Sequence, residues 1–139
     1  MRFLSFHCNS FGYVTTKKSR SSLIEDLSEQ NKEGYLENVI VLFISVEKKD
    51  ESDSNYLEKA LKEIKNISNQ LKVKNIVVLS FAHLFAQLSS PRFGLKALKK
   101  LEQELKNLNY KVLRPPFGWF NELNIKAKGH PLSRISRKI

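Results

Sequence analysis

Apolar positions along the chain change period several times, and each change marks an element. Val39 to Val46, VIVLFISV, is apolar on both faces and predicts a central strand. Over 55–71 the period is helical: Leu57, Ala60, Leu61, Ile64, Ile67 and Leu71 share one face, with Lys and Glu opposite. Ser54 is the expected N-cap. NIVVLS, residues 75–80, reads as a second buried strand. Strand, helix and strand in this order predict parallel strands joined by a right-handed crossover. SSPRF opens another helix, with Ser90 as N-cap and Pro91 at the first helical position. Leu95, Leu98, Leu101, Leu105 and Leu108 form its stripe. KVLRP predicts a strand, PPFGWF a turn crowded with aromatics, and LNIKAK an alternating strand with Leu123, Ile125 and Ala127 on one face.

The two ends are less regular. MRFLSF reads as a short first strand and YVTT as its partner, because NSFG between them has turn chemistry. Residues 17–37 are polar and read as an exposed, partly helical excursion. LSRISRKI reads as a basic tail. The order β-β-β-α-β-α-β-β predicts an α/β domain: a mixed β-sheet with helices packed mainly on one side.

Composition narrows the chemistry. A chain of 139 residues suits one domain, and no apolar run approaches the ~20 residues of a membrane span. The start, MRFLSFHCNS, is not a signal peptide. The single cysteine, Cys8, excludes an internal disulfide and fits a reducing cytoplasm. His7, Cys8, His83 and His130 have no zinc spacing, and no G-x-G loop is present, so neither metal nor cofactor is expected. The charge is asymmetric. Residues 1–90 carry 12 Lys/Arg against 11 Asp/Glu, and residues 91–139 carry 12 against 3. A carboxyl third this basic points to a polyanionic partner, with RNA the reasonable choice.

Open α/β sheets bind ligands beyond the carboxyl ends of their parallel strands. FISVEK and SFAHL supply two such ends, which places Ser45, Glu47 and His83 around one crevice. A histidine there suits a base or proton relay near neutral pH, against the ordinary reading of a hydrogen-bonded structural residue. His7 cannot serve Cys8 as a base if both lie in one strand, since neighbours point to opposite faces. Phe117, Trp119 and Phe120 suit base stacking or, more commonly for such a cluster, a hairpin core. Lys126, Lys128, Arg134, Arg137 and Lys138 suit phosphate contacts.

Five stretches in order, RFLSFHCNSFGYV, FISVEKKDE, SFAHLFAQLSSP, RPPFGWF and KAKGHPLSRISR, resemble the amino-terminal editing domain of archaeal threonyl-tRNA synthetases. The resemblance covers essentially the whole chain and implies a fold similar to D-aminoacyl-tRNA deacylases. It implies hydrolysis of L-seryl-tRNA(Thr) with L-threonyl-tRNA(Thr) spared. Serine lacks one methyl of threonine, a difference worth only about 1–3 kcal/mol, so a second sieve is needed. By resemblance, main-chain atoms near Ser45, Val46, Phe81, Ala82 and Phe117 hold the seryl-adenosine, within a pocket that also includes His7, Glu47, Gly118, Trp119 and Phe120. A ribose hydroxyl of the RNA positions the water, and His83 assists. Position 121, often lysine in the family, is Asn121 here, and position 134, often acidic, is Arg134. Asn121 still donates a hydrogen bond but brings no charge. These departures keep open a non-catalytic tRNA-binding appendage, and the implied fold by itself keeps open a D-aminoacyl-tRNA deacylase. The expected partners are the serine-carrying 3′ end of tRNA(Thr), a second copy of the chain, and either the rest of the synthetase or a separate aminoacylating subunit. Beginning at Met1, the chain reads as an amino-terminal fragment or a free-standing module.

Overall fold

The computed structural model describes residues 1–84 and 87–139. Its elements are β1 (Arg2–Lys18), β2 (Glu33–Ser45), α1 (Tyr56–Leu71), β3 (Asn75–Ser80), α2 (Pro91–Asn107), β4 (Lys111–Leu113), β5 (Trp119–Ala127) and β6 (Arg134–Lys138). The sheet runs β4-β3-β2-β1-β5, with β6 also on β1. β2, β3 and β4 are mutually parallel, and the pairings of β1 are antiparallel. The mixed sheet of an α/β domain is therefore as expected.

Alternation sorts β2 cleanly. Ile40, Leu42, Ile44 and Val46 face the helices, where Ile64, Ile67, Leu98, Leu101 and Leu105 complete the main core. Val39 and Val41 face the other way and meet Cys8, Phe11, Tyr13, Leu36, Val77 and Leu79. Strand β2 is apolar on both faces because both faces are covered, each fully buried Leu or Ile adding about 1.5–3 kcal/mol. Ser90 caps α2, its hydroxyl accepting from the Phe93 N–H, with Pro91 first in the helix. Leu108 falls outside α2 and is 39% exposed, so it ends the stripe without joining the core.

The ends of the chain correct the sequence reading. NSFG is not a turn: β1 continues through it as one 17-residue strand. Both arms of the expected hairpin pair with β2 on one side, and with β6 then β5 on the other, so neither needs the other. A register shift between Cys8 and Ser10 lets Cys8 and Phe11 face the same core. Residues 17–37 contain no helix; the segment from 33 onward is already β2. Asn55, not Ser54, occupies the N-cap position of α1. LSRISRKI is not a tail. Ile135 and Ile139 pack on the main core while Arg134, Ser136 and Lys138 point away, so a period-2 pattern was hidden under a basic composition.

Candidate functional site

The carboxyl ends of β2 and β3 lie side by side. Ile44 pairs with Ser80, and the Phe81 N–H donates to the Ile44 carbonyl at 2.8 Å. Both chains then leave the sheet: Lys48–Glu51 forms one 3-10 turn and Ala82–Leu84 another. Three backbone contacts lash the two loops together: Lys48 N–H to Gln87 O (2.9 Å), Ser89 N–H to Val46 O (3.0 Å), and a bridge between Glu47 and Leu88. Phe85 and Ala86 of the SFAHLFAQLSSP motif lie outside the described residues.

Ser45 ends β2 on the face turned away from the helices, by alternation with Phe43. It is 1% exposed, yet its Oγ has no hydrogen-bond partner among the described residues. A buried hydroxyl left unpaired costs about 1–3 kcal/mol, so such an atom points to a polar group that arrives from outside. Beside it Phe6, Phe43 and Phe81 form an edge-to-face ladder, with ring centroids 5.2 and 5.8 Å apart. Phe81 is 41% exposed. Ala82 and His83 are exposed on the turn, and His83 has no polar partner among the described residues. The structure therefore brings Ser45, Val46, Phe81, Ala82 and His83 to the adjoining carboxyl ends of β2 and β3, where the crevice is expected.

Glu47 is buried but committed to structure. It accepts from Arg2 Nε at 2.6 Å, while the Met1 α-ammonium bonds to buried Asp50 and lies 3.8 Å from Glu47 Oε2. The Glu47 N–H donates to Asp50 Oδ2 at 2.7 Å. Burial lowers the proton affinity of that ammonium, and Asp50 opposes the effect. Sequence reasoning missed this cluster because the cation at buried Asp50 is the α-ammonium group rather than a side chain.

The aromatic turn is built elsewhere. Two strands, β2 and β1, stand between β3 and β5 in the sheet. Glu25 organises the turn. Its carboxylate accepts from the two terminal guanidinium nitrogens of Arg114 (2.6 and 2.9 Å) and the Phe117 N–H (2.7 Å); its backbone carbonyl accepts from Trp119 Nε1–H (2.8 Å), and its N–H donates to Phe117 O (3.0 Å). Both main-chain polar atoms of Phe117 are thus engaged within the chain. Gly118 has φ +84, and its carbonyl accepts from Ser19 N–H at 2.9 Å. Phe120 is 53% exposed with Lys17 Nζ 6.0 Å from its ring centroid, and Lys18 Nζ stands 5.7 Å from Trp119. Trp119 and Phe120 are neighbours in β5 and point to opposite faces, so they are two separate ring–cation pairs, and exposed Phe120 is the ring open to a stacking base. Asn121 is tied down, its Oδ1 accepting from Thr15 Oγ1 (3.1 Å) and its Nδ2 donating to Trp119 O (3.3 Å). Asn121 and His83 share no partner.

His7 stands apart from the crevice. It lies five residues along β1 from the Arg2–Ser45 pair, roughly 17 Å. It is 6% exposed and belongs to a relay whose donors follow from one bond. Leu132 N–H donates to His130 Nδ1 (3.3 Å), so the His130 proton sits on Nε2 and is given to His7 Nδ1 (2.9 Å). His7 Nε2–H then donates to Asn38 Oδ1 (3.1 Å), which Lys128 Nζ also reaches at 3.1 Å. Burial lowers the proton affinity of His7 below its ordinary 6.5, with Lys128 and His130 adding to the effect and the Asn38 bond opposing it. The unfolded chain then takes up more protons below pH 6.5, so this stabilisation is present above that value and lost as pH falls. The urea midpoint should drop between pH 6.5 and 5, and His7→Ala should remove most of that slope. An unchanged slope in the variant would rule the relay out as its source.

Among the phosphate candidates, Lys126 and Arg134 are exposed without a carboxylate partner among the described residues. Lys128 is shared with Asn38, and Arg137 is neutralised by Glu63 of α1 at 3.0 Å. Arg134 and Lys138 pair with Phe6 and Arg2, so they flank the same face as the aromatic ladder. No cluster of metal-ligating side chains occurs among the described residues. Among the described residues no helix is long and apolar enough to cross a membrane.

Residues 1–139 match the family described as the archaea-specific editing domain of threonyl-tRNA synthetase. Threonine–tRNA ligases of Thermococcus sibiricus, Methanosphaera stadtmanae and Methanocaldococcus jannaschii are 42%, 40% and 41% identical over 140 residues. Each match covers 100% of this chain and 22% of the relative, so the chain spans about a fifth of their length. Among solved structures, the c-Myc DNA unwinding element binding protein superposes with a TM-score of 0.72 at 11% identity, covering 100% of this chain and 99% of that one, which shows a shared fold. The chain belongs to the archaea-specific editing domains of threonyl-tRNA synthetase.

Proposed function

We propose that this domain hydrolyses L-seryl-tRNA(Thr) to serine and tRNA(Thr) and spares L-threonyl-tRNA(Thr). The observation that carries the reading is the unpaired, buried Ser45 hydroxyl, set between the lashed loops at the ends of two neighbouring parallel strands. A polar ester substituent entering there satisfies it, while an additional methyl meets the Phe43–Phe81 wall. The adenosine stacks on aromatic rings, and Lys126 and Arg134 meet phosphates. No side chain beside Ser45 is a strong, positioned base: Glu47 is held by Arg2, and Asn121 stands away on β5, tied to Thr15 and Trp119. Water attack therefore leans on a ribose hydroxyl of the RNA, with His83 as a hydrogen-bonding orienter.

The exposed apolar residues of this face, Phe81 and Leu88, support a homodimer, which sedimentation would detect as twice 16.1 kDa. The cytoplasm, where charged tRNA is used, is the corresponding compartment. The rest of the synthetase, or a separate aminoacylating subunit, supplies the mischarged tRNA.

Release of serine and threonine from tRNA(Thr) tests the reading. Wild type should clear serine and leave threonine. His83→Ala should slow release about tenfold, short of the 10²–10⁴ loss expected of an obligate general base. Asn121→Ala should change the rate by less than about threefold, because no charge is lost. Binding of tRNA without serine release would instead make the domain a non-catalytic appendage, the reading favoured by the tethered Asn121. Release of D-aminoacyl esters with serine spared would make it a D-aminoacyl-tRNA deacylase.

A further inference from the structure

A groove of ≈ 390 Å³ lies along α2, with Leu23 and Leu95 as its apolar floor and Arg92, Lys96, Lys99, Lys100 and Gln103 around it. Every charged residue from 91 to 101 is a cation; the first carboxylate of α2 is Glu102, already taken by Arg114 and Lys106. Helix α1 differs. Its exposed side mixes Glu58 and Glu63 with Lys59, Lys62 and Lys65. An ordinary solvated helix face carries both signs, and its first turn favours acids, because the helix dipole is positive there. Here the first turn has no acid and holds Arg92. Local stability opposes this arrangement, and an anionic partner reverses the sign of the effect.

Position reinforces the charge. Arg92, Lys96 and Lys100 recur every four residues, so they form one outward ridge with steps of about 6 Å, on the scale of successive phosphates along one strand. All three are exposed and have no carboxylate partner among the described residues. Lys99 differs, since it reaches Glu25 at 3.2 Å and helps hold the aromatic turn. The ridge begins where the crevice ends: Ser89 N–H bonds Val46 O, Ser90 N–H bonds Glu51 Oε1, and Pro91 starts the helix.

We infer that the Arg92–Lys96–Lys100 ridge of α2 is a track for the tRNA phosphodiester backbone, leading away from the crevice that takes the 3′ end. The inference rests on tRNA being the substrate. It adds a binding surface on the helical layer, separate from the lysines and arginines of β5 and β6.

The test compares two triple variants of the 139-residue chain with the same loss of charge: Arg92→Gln/Lys96→Gln/Lys100→Gln on α2, and Lys59→Gln/Lys62→Gln/Lys65→Gln on α1. Uncharged tRNA(Thr) is the probe, and Kd is measured by fluorescence anisotropy over a salt series. Each phosphate that is no longer neutralised should lower the slope of log K against log salt by about 0.7–0.9. The α2 triple should therefore lose about 2–3 from the slope and bind at least tenfold more weakly at low salt, while the α1 triple changes the slope by less than 1. Thermal midpoints separate binding from folding: the α2 triple should match or exceed wild type, since it removes cations from a helix amino terminus. Equal weakening by both triples would reduce the effect to net charge and overturn the track, as would no weakening by the α2 triple. Because the probe carries no ester, failure of serine release leaves this result readable, and failure of the track leaves deacylation intact.

Discussion

Gly118→Ala should destabilise the domain by at least about 3 kcal/mol, and loosen tRNA binding with it. A non-glycine residue at φ +84 is strained by about 1–3 kcal/mol on its own. The added Cβ would also stand 2.7 Å from the Leu23 carbonyl oxygen and 2.9 Å from Ile24 Cα. Both are backbone atoms, so no rotamer change relieves the clash. The 19–25 segment must move, taking with it the Ser19–Gly118 and Glu25–Phe117 bonds that hold the aromatic turn. Gly129→Ala is the matched control, because nothing lies within 4 Å of its Cβ position. Urea unfolding of the two variants gives the comparison; a loss below about 1 kcal/mol for Gly118→Ala would refute the packing described for the turn.

The second large effect belongs to the carboxylate behind that turn. Glu25→Gln should cost about 2–3 kcal/mol at pH 7, less than the ~3–5 of breaking a fully buried pair, because Glu102 still holds Arg114 at 2.6 Å. Burial alone would push the Glu25 carboxyl up. Hydrogen bonds from Arg114 and the Phe117 N–H, together with Lys99, outweigh it and hold the group at about 2, against an ordinary 4.5. A carboxyl depressed on folding stabilises fully above its unfolded value. That contribution is present above pH 4.5 and fades as pH falls from 4.5 toward 2. Wild type should therefore lose stability steeply across that window, and Glu25→Gln should start lower and fall less. Parallel acid curves for the two proteins would show that Glu25 is not the titrating group.

What the sequence made legible follows from how local each signal is. β3 and the start of α2 rest on a contiguous apolar run and on Ser90–Pro91, and both stand as read. The juxtaposition of the two loops was legible because two apolar runs followed by polar loops imply neighbouring parallel strands, and β2 does pair with β3. The first strand was misread because Gly12 and Ser10 carry turn chemistry, while their extended state comes from partners far along the chain. Glu25 was passed over because its partners, Arg114 and Phe117, lie 89 and 92 residues away in sequence. His7 was grouped with the crevice by motif, and only the strand register shows its partners to be Asn38 and His130. The α2 ridge was readable in principle, as a run of four cations with no acid between residues 91 and 101.

The place of β1 bears on how the domain is made. The strand of this domain that leaves the ribosome first lies inside the sheet, and its opening residues pair on one side with β6, Arg2 against Lys138. Until β6 has been synthesised, that edge of β1 presents unpaired N–H and C=O groups, the kind of edge that templates aggregation. Such long-range pairing sets a high contact order, for which folding takes milliseconds to seconds. The nascent domain thus completes its sheet only after its whole length has emerged, and a ribosome paused within β6 leaves the edge open for as long as the pause lasts.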